Sequence, residues 1–347
     1  MASSRIFLDV TSGGPLNPAA ADALSASLSD GWANPARLHH EGRRARLLAD
    51  AARASIAARI GANPDEIAFT ASHQHALRAA AARSRRLTAS AVEHSALLAA
   101  AEVEVPVALD GQVDPVEFAR LAEGSDLAAL QLASAETGTC QPVAAARSAL
   151  AGTPLIMDAN HAVGVIDLPE WDILAAGANG WGGPSDVAVL ATKRSLRAAP
   201  PNLVEPSVPL LVAAAAGLEY TDDRRKKNEQ RLRTLTTKLR ELTPRLIEDV
   251  EVVGHPTARL PHIMTFSCLY VDGEALVLEL DRRGFAVSSG SACASEEQLP
   301  SHVLAAMGVF TGGNVRVSLP LECSDADVAA FLKALPEAVT TVREVLS

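Results

Sequence analysis

A regular alternation of short apolar runs with alanine-rich stretches occupies the first two thirds of this 347-residue chain. Each apolar run has the length of a strand, and the stretches between them have the composition of helices. The predicted strands are residues 66–70, 88–91, 103–107, 127–133, 154–157 and 187–191. Strands that alternate with helices favour a mostly parallel sheet covered by helices on both faces. We therefore predict an α/β fold for this part of the chain.

The pattern changes after this region, where two long helices are predicted at residues 210–220 and 228–246. A second group of predicted elements follows: strands at 250–253, 263–268, 286–288 and 315–319, with helices at 273–283 and 325–345, the last interrupted by Pro336. A chain of this length exceeds one comfortable hydrophobic core. We predict a large α/β domain formed by residues 16–240 and a small α+β domain formed by residues 1–15 and 241–347.

Charge and composition exclude several classes of protein. The net charge of −10 argues against a general nucleic-acid surface. No apolar run approaches the roughly 18 residues that span a bilayer, and residues 1–10 are too short and too polar for a signal peptide. The four cysteines are widely spaced and form no CxxC pair, which argues against a structural zinc site or a disulfide framework. We predict a cytoplasmic protein that binds neither nucleic acid nor membrane.

A series of short motifs extends over nearly the whole chain. They are LD (8–9), GP (14–15), WANP (32–35), LH (38–39), PDEIAFT (64–70), VEH (92–94), ETG (136–138), QP (141–142), DANHAVG (158–164), GHP (254–256), VSSGSAC (287–293), SHVL (301–304) and VRVSL (315–319). In their order and spacing these motifs resemble the cysteine desulfurase branch of the class V aminotransferases, and the pair SSGSAC and SHVL is the most specific of them. The resemblance implies the fold type I of pyridoxal-phosphate-dependent transferases, with a seven-stranded, mostly parallel sheet in the large domain.

The resemblance also implies roles for four residues. Asp158 stands at the carboxylate that hydrogen-bonds the pyridine nitrogen of pyridoxal phosphate, and His94 stands at the histidine that stacks on the pyridine ring. Arg316 stands at the arginine that binds the substrate carboxylate. Cys293 stands at the loop cysteine whose thiolate accepts the substrate sulfur as a persulfide.

The same residues have simpler interpretations. Asp158 at a strand end also caps the following turn. His94 is equally well explained as a partly buried histidine bonded to backbone. The alternative for Arg316 is that it forms one half of a salt bridge between the domains.

The chain departs from the family at the position of the Schiff-base lysine. The Gly183-Pro184 pair fixes the register, which places Gly180 where the family has that lysine. Glycine has no side chain, so no imine can form there. The lysines of the chain lie elsewhere: Lys193, Lys226, Lys227, Lys238 and Lys333.

Other contacts to the cofactor differ as well. His73 lies in the segment that forms the phosphate cradle of the family, where a Gly-Thr pair is expected at a helix N-terminus. Ala135 replaces the asparagine that contacts the ring oxygen, and His161 replaces a glutamine. Residues 200–209 carry no basic group that could reach the phosphate from a partner subunit. Because these changes occur together, we predict that no cofactor is bound and that pyridoxal phosphate is the ancestral one.

Four functions remain open at this point. The first is a desulfurase-like pseudoenzyme that forms a homodimer and carries sulfur on Cys293 or binds a sulfur acceptor or an active desulfurase. The second is an active cysteine desulfurase or class V aminotransferase that holds pyridoxal phosphate non-covalently. The third is a pocket in which His73, His94, His161 and Asp158 bind another ligand or a transition metal. These histidines are more simply explained as filling vacated volume, and we predict no metal. The fourth is an interaction module without chemistry.

Overall fold

The computed structural model describes residues 5–196, 203–289 and 301–346. The strands of this part of the chain are β1 (Ile6–Phe7), β2 (Ile67–Thr70), β3 (Leu87–Ser90), β4 (Ala101–Val105), β5 (Leu127–Gln131), β6 (Leu155–Asp158), β7 (Ile173–Gly177), β8 (Ala188–Thr192), β9 (Val250–Val253), β10 (Ile263–Cys268), β11 (Phe285–Ala286) and β12 (Asn314–Ser318). The α-helices are α1 (Pro18–Ser27), α2 (His40–Ile60), α3 (His73–Ala81), α4 (Ser95–Leu98), α5 (Pro115–Leu121), α6 (Val143–Ala149), α7 (Val208–Asp223), α8 (Arg225–Leu246), α9 (Gly273–Arg282), α10 (His302–Met307) and α11 (Asp325–Leu346).

A seven-stranded sheet forms the centre of the large domain, with the strand order β2-β8-β7-β6-β5-β3-β4. β8 is antiparallel to both of its neighbours, and the other pairs are parallel. Every residue of β5, β7 and β8 is buried, as expected for central strands that are covered on both faces. The predicted α/β fold with a mostly parallel seven-stranded sheet is confirmed.

Helices cover this sheet and complete its core. α1 and α2 both pack against α7, and the faces of these helices are rich in alanine. Two buried tryptophan side chains form hydrogen bonds to the backbone of the covering helices. Trp171 Nε1 donates to the Ile60 carbonyl at 2.8 Å, and Trp181 Nε1 donates to the Ala214 carbonyl at 3.0 Å. The short alanine side chains allow helix and sheet backbones to lie close together.

A second core belongs to the small domain. Its antiparallel sheet has the order β12-β10-β9, and β1 pairs with β11 in a separate two-stranded ribbon. Leu8 from the N-terminal segment is fully buried in this core, as are side chains of α9 and α11. Buried leucines of α8, such as Leu235 and Leu239, also belong to it. The domain limits at residues 15/16 and 240/241 remain a prediction.

One expectation about secondary structure was wrong. The last helix is continuous from Asp325 to Leu346 and passes through Pro336 without interruption. Proline removes one backbone donor from a helix, and the long apolar face of α11, buried in the second core, supports the helix across this position. In addition, β7 was not predicted, although it is a central strand of the large sheet.

None of the helices among the described residues combines the length and the apolar composition that crossing a bilayer would demand.

Candidate functional site at the carboxyl edge of the large sheet

Three strand ends meet at one edge of the large sheet and bring their side chains together. Asp158 is the last residue of β6, His73 begins α3 just after β2, and His94 follows β3 and caps α4. β2 runs parallel to β7 because each is antiparallel to β8, so its carboxyl end lies at the same edge. In open α/β sheets the crevice beyond this edge is where ligands bind.

The carboxylate of Asp158 is buried and already bonded within the chain. Its Oδ1 atom accepts from Nε2 of His73 at 2.8 Å and from the backbone amide of Asn160 at 3.0 Å. Burial opposes the ionisation of Asp158, but the adjacent His73 imidazole and the Asn160 amide outweigh it, so the pKa of this carboxyl is lowered. Asp158 is therefore an ionised acceptor whose donors are both residues of this chain.

His94 lies beside this pair. Its ring meets the His73 ring edge-on, with 5.4 Å between centroids and 86° between planes. Its Nδ1 atom accepts from the backbone amide of Ala96 at 3.0 Å. Burial lowers the pKa of His94, and the neighbouring His73 lowers it further, which favours the neutral imidazole. His94 thus contacts the His73 ring, and it also makes a hydrogen bond to the backbone, as its simpler interpretation predicts.

His161 is buried next to the same strand end. Its Nε2 atom lies 3.0 Å from Nδ2 of Asn160. Burial is the main cause that lowers the pKa of His161 to about 3, with a further contribution from His262. His161 is therefore a neutral hydrogen-bonding group near pH 7.

Gly180 lies in the 3-10 turn Ala178–Trp181 that follows β7. A Cβ atom added at Gly180 would lie 1.9 Å from the carbonyl oxygen of Asn160, far inside any contact distance. The side chain of Asn160 holds the same turn, because its Oδ1 accepts from the Gly177 amide at 2.7 Å. The turn therefore requires glycine at position 180, because the backbone of Asn160 occupies the space that a side chain would need.

Lys193 lies away from this turn, on the far side of β8. Its Nζ atom donates to the Gly61 carbonyl at 2.9 Å and lies 3.9 Å from the centre of the Trp171 ring.

Arg316 in β12 connects the N-terminal segment to the large domain. Its Nη2 atom donates to Ser12 Oγ at 2.7 Å and to Asp9 Oδ1 at 3.2 Å. Its Nη1 atom reaches the Ala135 carbonyl at 3.5 Å. Arg316 therefore forms a salt bridge, but with Asp9 inside the predicted small domain. Its contact with the large domain is the hydrogen bond to the Ala135 carbonyl, so this geometry differs from the salt bridge between the domains.

Cys293 lies outside the described residues. The residues that flank its segment are fixed to the rest of the protein. Ser288 exchanges two backbone hydrogen bonds with Arg316, and Ser301 Oγ donates to Oε2 of Glu136 at 2.8 Å.

The sequence analysis did not identify two buried carboxyl groups near the site. Glu136 keeps one oxygen, Oε1, without a hydrogen-bond partner, and burial raises its pKa to about 7. Glu93 is fully buried, its Oε1 accepts from the Gln131 amide at 2.6 Å, and burial raises its pKa well above the usual range. Both residues lie inside motifs named above, VEH and ETG, and their place in those motifs was the available signal.

A metal site receives no support from this geometry. Within residues 5–196, 203–289 and 301–346, no three side chains of histidine, cysteine, aspartate or glutamate converge as metal ligands would. The histidines of the site bond instead to Asp158, to Asn160 and to the backbone of Ala96.

Comparisons with known proteins agree with this architecture. The sequence model described as "Aminotransferase class-V" matches residues 6–205 and 198–331. An IscS-like cysteine desulfurase of Mycobacterium tuberculosis is 32% identical, with 97% of each chain covered. A cysteine desulfurase of Cereibacter sphaeroides is also 32% identical and covers 98% of this chain and 97% of its own.

Solved structures share the fold at lower identity. A structure described as a NifS-like protein superposes with a TM-score of 0.86 at 24% identity, covering 97% of this chain and all of the other. A NifS-like protein from Rickettsia africae superposes with a TM-score of 0.87 at 22% identity, covering 96% and 99% of the two chains.

Proposed function

Since the chain belongs to the class V aminotransferase family, as a cysteine desulfurase-like member, we propose that it is a desulfurase homologue that has lost catalysis by pyridoxal phosphate. The family depends on that cofactor, and the residues present here do not fit it. The observation that carries the proposal is the 2.8 Å bond between His73 Nε2 and Asp158 Oδ1. The His73 imidazole donates a hydrogen bond to the same carboxylate that would otherwise accept one from the pyridine nitrogen of the cofactor.

Gly180 supports the same conclusion independently. The imine that anchors pyridoxal phosphate requires an amine at this position, and the Asn160 carbonyl fills the place of even a first side-chain carbon. His73 also lies against His94, so a ring could stack on His94 only if His73 moved. Loss of the covalent bond, of the free carboxylate and of the stacking surface together leaves little to hold a charged cofactor out of water.

The experiment is a titration of the purified protein with pyridoxal phosphate. We expect no imine band at roughly 410–430 nm, no adduct after borohydride reduction, and no sulfide release from cysteine above the level of the Cys293→Ser variant. A His73→Ala variant is the matched control for access to Asp158, because it removes the bond to that carboxylate and leaves Gly180 unchanged. Turnover by the wild-type protein with added pyridoxal phosphate would instead favour an enzyme that holds the cofactor non-covalently.

The retained cysteine motif suggests what the protein does in place of catalysis. We propose that Cys293 accepts sulfur from the persulfide of a donor protein: its thiolate attacks the outer sulfur, the S–S bond breaks, and the donor cysteine leaves as a thiolate. Mass spectrometry after incubation with a persulfidated desulfurase should show one added sulfur on Cys293. Cys268 is a suitable internal control because it is buried and its pKa is raised to about 11 by burial. Sulfur on neither cysteine, or on both alike, would leave an interaction module without chemistry as the better description.

We also propose that the protein acts in the cytoplasm as a homodimer. Its α1–α2 corner carries large apolar side chains that are exposed in the single chain: Leu28, Trp32, Leu38 and Leu47. Trp32 is 69% exposed and Leu38 is 81% exposed, which is costly for a monomer surface and typical of a covered interface.

Trp32→Glu is therefore expected to weaken the dimer by about 30-fold or more, because a buried aromatic anchor contributes about 2 kcal/mol or more. Analytical ultracentrifugation over a concentration series measures this change. Leu109→Glu is the control, since Leu109 is 71% exposed and lies outside the α1–α2 corner. A wild-type protein that sediments as a monomer at micromolar concentration would contradict the proposal.

A further inference from the structure

Three large side chains form an exposed strip that runs from the loop after β4 to the small sheet. Leu109 is 71% exposed, Phe310 is 50% exposed and Tyr270 is 77% exposed. The Cδ2 atom of Leu109 lies 3.7 Å from the position of a Cβ atom at Gly308, just after α10. Phe310 follows in the same segment, and its carbonyl accepts from Ser267 Oγ in β10 at 3.2 Å. We call Leu109, Phe310 and Tyr270 the apolar strip.

Tyr270 occupies its place in the strip with an unusual backbone. It lies in the turn between β10 and α9, and the carbonyls of Cys268 and Val271 in this turn lie against Gly313. The φ of Tyr270 is 59°, in the left-handed region that suits glycine and asparagine better than tyrosine. A strained backbone that places an aromatic ring in solvent favours a binding role for the ring over a packing role.

Exposed carboxylates lie around Tyr270, at the start of β9 and at the start of α9. Both starts are next to Tyr270, because the Leu269 amide donates to the Asp249 carbonyl at 2.9 Å and Asp272 caps α9. Five carboxylates here form no ion pair with a lysine or arginine of the part of the chain that the structure describes: Glu248, Asp249, Glu251, Asp272 and Glu274.

Two arginines lie near the same end, Arg245 in the last turn of α8 and Arg343 in α11, so the local balance of charge is negative. Two copies of this surface would repel each other, whereas a basic surface would be attracted to it. The charges therefore favour a partner with exposed lysines or arginines over a second copy of this chain.

The apolar strip lies close to the segment that carries Cys293. Ser288 bridges to β12, which pairs with β10 next to Ser267. Two strand spacings of about 4.8 Å and two residues of about 3.3 Å put Ser288 roughly 12 Å from Ser267. Cys293 is five residues beyond Ser288 and so lies within about 18 Å of it. A partner surface of standard size, about 800 Å² and roughly 30 Å wide, can cover the strip and reach Cys293.

We propose that the apolar strip is the docking surface for the protein that delivers sulfur to Cys293, and that this donor presents a basic, apolar face around its persulfide. The inference rests on the proposed role of Cys293 as a sulfur acceptor. The strip supplies the apolar contact, and the carboxylates around it select a positively charged partner. In the transfer the Cys293 thiolate takes the outer sulfur, the S–S bond breaks, and the donor cysteine leaves as a thiolate.

The test compares synthetic peptides that carry one cysteine persulfide between two leucines. One peptide has arginines at its ends and the other has glutamates, and glutathione persulfide serves as a donor too small to need the strip. Mass spectrometry of the purified protein follows the added sulfur on Cys293. At low salt the arginine peptide should transfer sulfur about 10-fold faster than the glutamate peptide, and the difference should shrink at about 1 M salt.

Substitutions in the strip separate docking from chemistry. Tyr270→Asn removes the ring and relieves the left-handed backbone, so this variant should fold at least as well as the wild type. It should slow transfer from the arginine peptide about 10-fold and leave transfer from glutathione persulfide unchanged. Leu109→Ser should act in the same way. Val116→Ser is the matched control, because Val116 is 74% exposed on α5 and lies outside the strip.

Two results would overturn the docking proposal: equal rates for the two peptides, or a Tyr270→Asn protein that reacts with the arginine peptide as fast as the wild type. Because glutathione persulfide bypasses the strip, its transfer to Cys293 in either case would leave the acceptor role of Cys293 intact. Failure of all three donors to add sulfur to Cys293 would overturn both proposals together.

Discussion

Replacing Gly180 with lysine is expected to destabilise the protein by about 3 kcal/mol or more and to restore no imine. The reason is the 1.9 Å between the position of a Cβ atom at Gly180 and the Asn160 carbonyl oxygen. The obstacle is backbone, which has no rotamer to change, so the turn or the segment after β6 must move. Urea unfolding followed by circular dichroism measures the loss, and absorbance after addition of pyridoxal phosphate tests for the imine.

Two alanine variants separate the effect of the Cβ atom at position 180 from the effect of a long charged side chain. Gly180→Ala adds only the Cβ atom and should lose a similar free energy of unfolding. Gly312→Ala places the same atom where nothing lies within 4 Å and where the backbone needs no positive φ, so it should change stability by less than about 1 kcal/mol. A Gly180→Lys protein that is as stable as the wild type and forms an imine would show that the site is only one substitution away from cofactor binding.

Replacing Glu136 with glutamine is expected to stabilise the protein at pH 8 by up to about 3 kcal/mol. Burial raises the pKa of Glu136 from 4.5 to about 7. Between these two values the folded state holds a proton that the unfolded state has released, so stability falls as the pH rises through this range and levels off above it. Glutamine cannot ionise and keeps an acceptor for Ser301, so the variant lacks this loss.

The measurement is the free energy of unfolding of both proteins at pH 5 and at pH 8. The two should differ by less than about 1 kcal/mol at pH 5, where most Glu136 in the folded protein is protonated, and by about 3 kcal/mol at pH 8. Glu123→Gln is the control, because Glu123 is exposed and its replacement should change neither value by more than about 0.5 kcal/mol. A constant difference between wild type and Glu136→Gln at both pH values would exclude ionisation of Glu136 as the cause.

Much of the fold follows from local sequence patterns. Strands such as β5 and β6 are apolar runs between helix signals, so their type and approximate position could be predicted. β7 was missed because its sequence, ILAAG, contains one β-branched residue and two alanines, and alanine favours a helix where packing does not decide. Only the neighbouring strands β6 and β8 make it a strand, and that pairing is a tertiary property.

The site was predictable in outline but not in its bonds. Motif positions indicated that Asp158, His73 and His94 would lie together, and they do. The bond from His73 to Asp158 depends on the position of α3 relative to β6, which no local pattern specifies. Likewise, burial sets the protonation of Glu136 and His262, and the sequence does not show how completely surrounding elements exclude water from either residue.

The large sheet ends at β4, and the composition of that strand affects how chains of this protein behave when concentrated. An edge strand offers unpaired amides and carbonyls to any extended segment that approaches. In β4 the exposed positions alternate and carry Glu102 and Glu104. A second β4 edge would bring carboxylates against carboxylates, so the sheet resists growth into aggregates at this side.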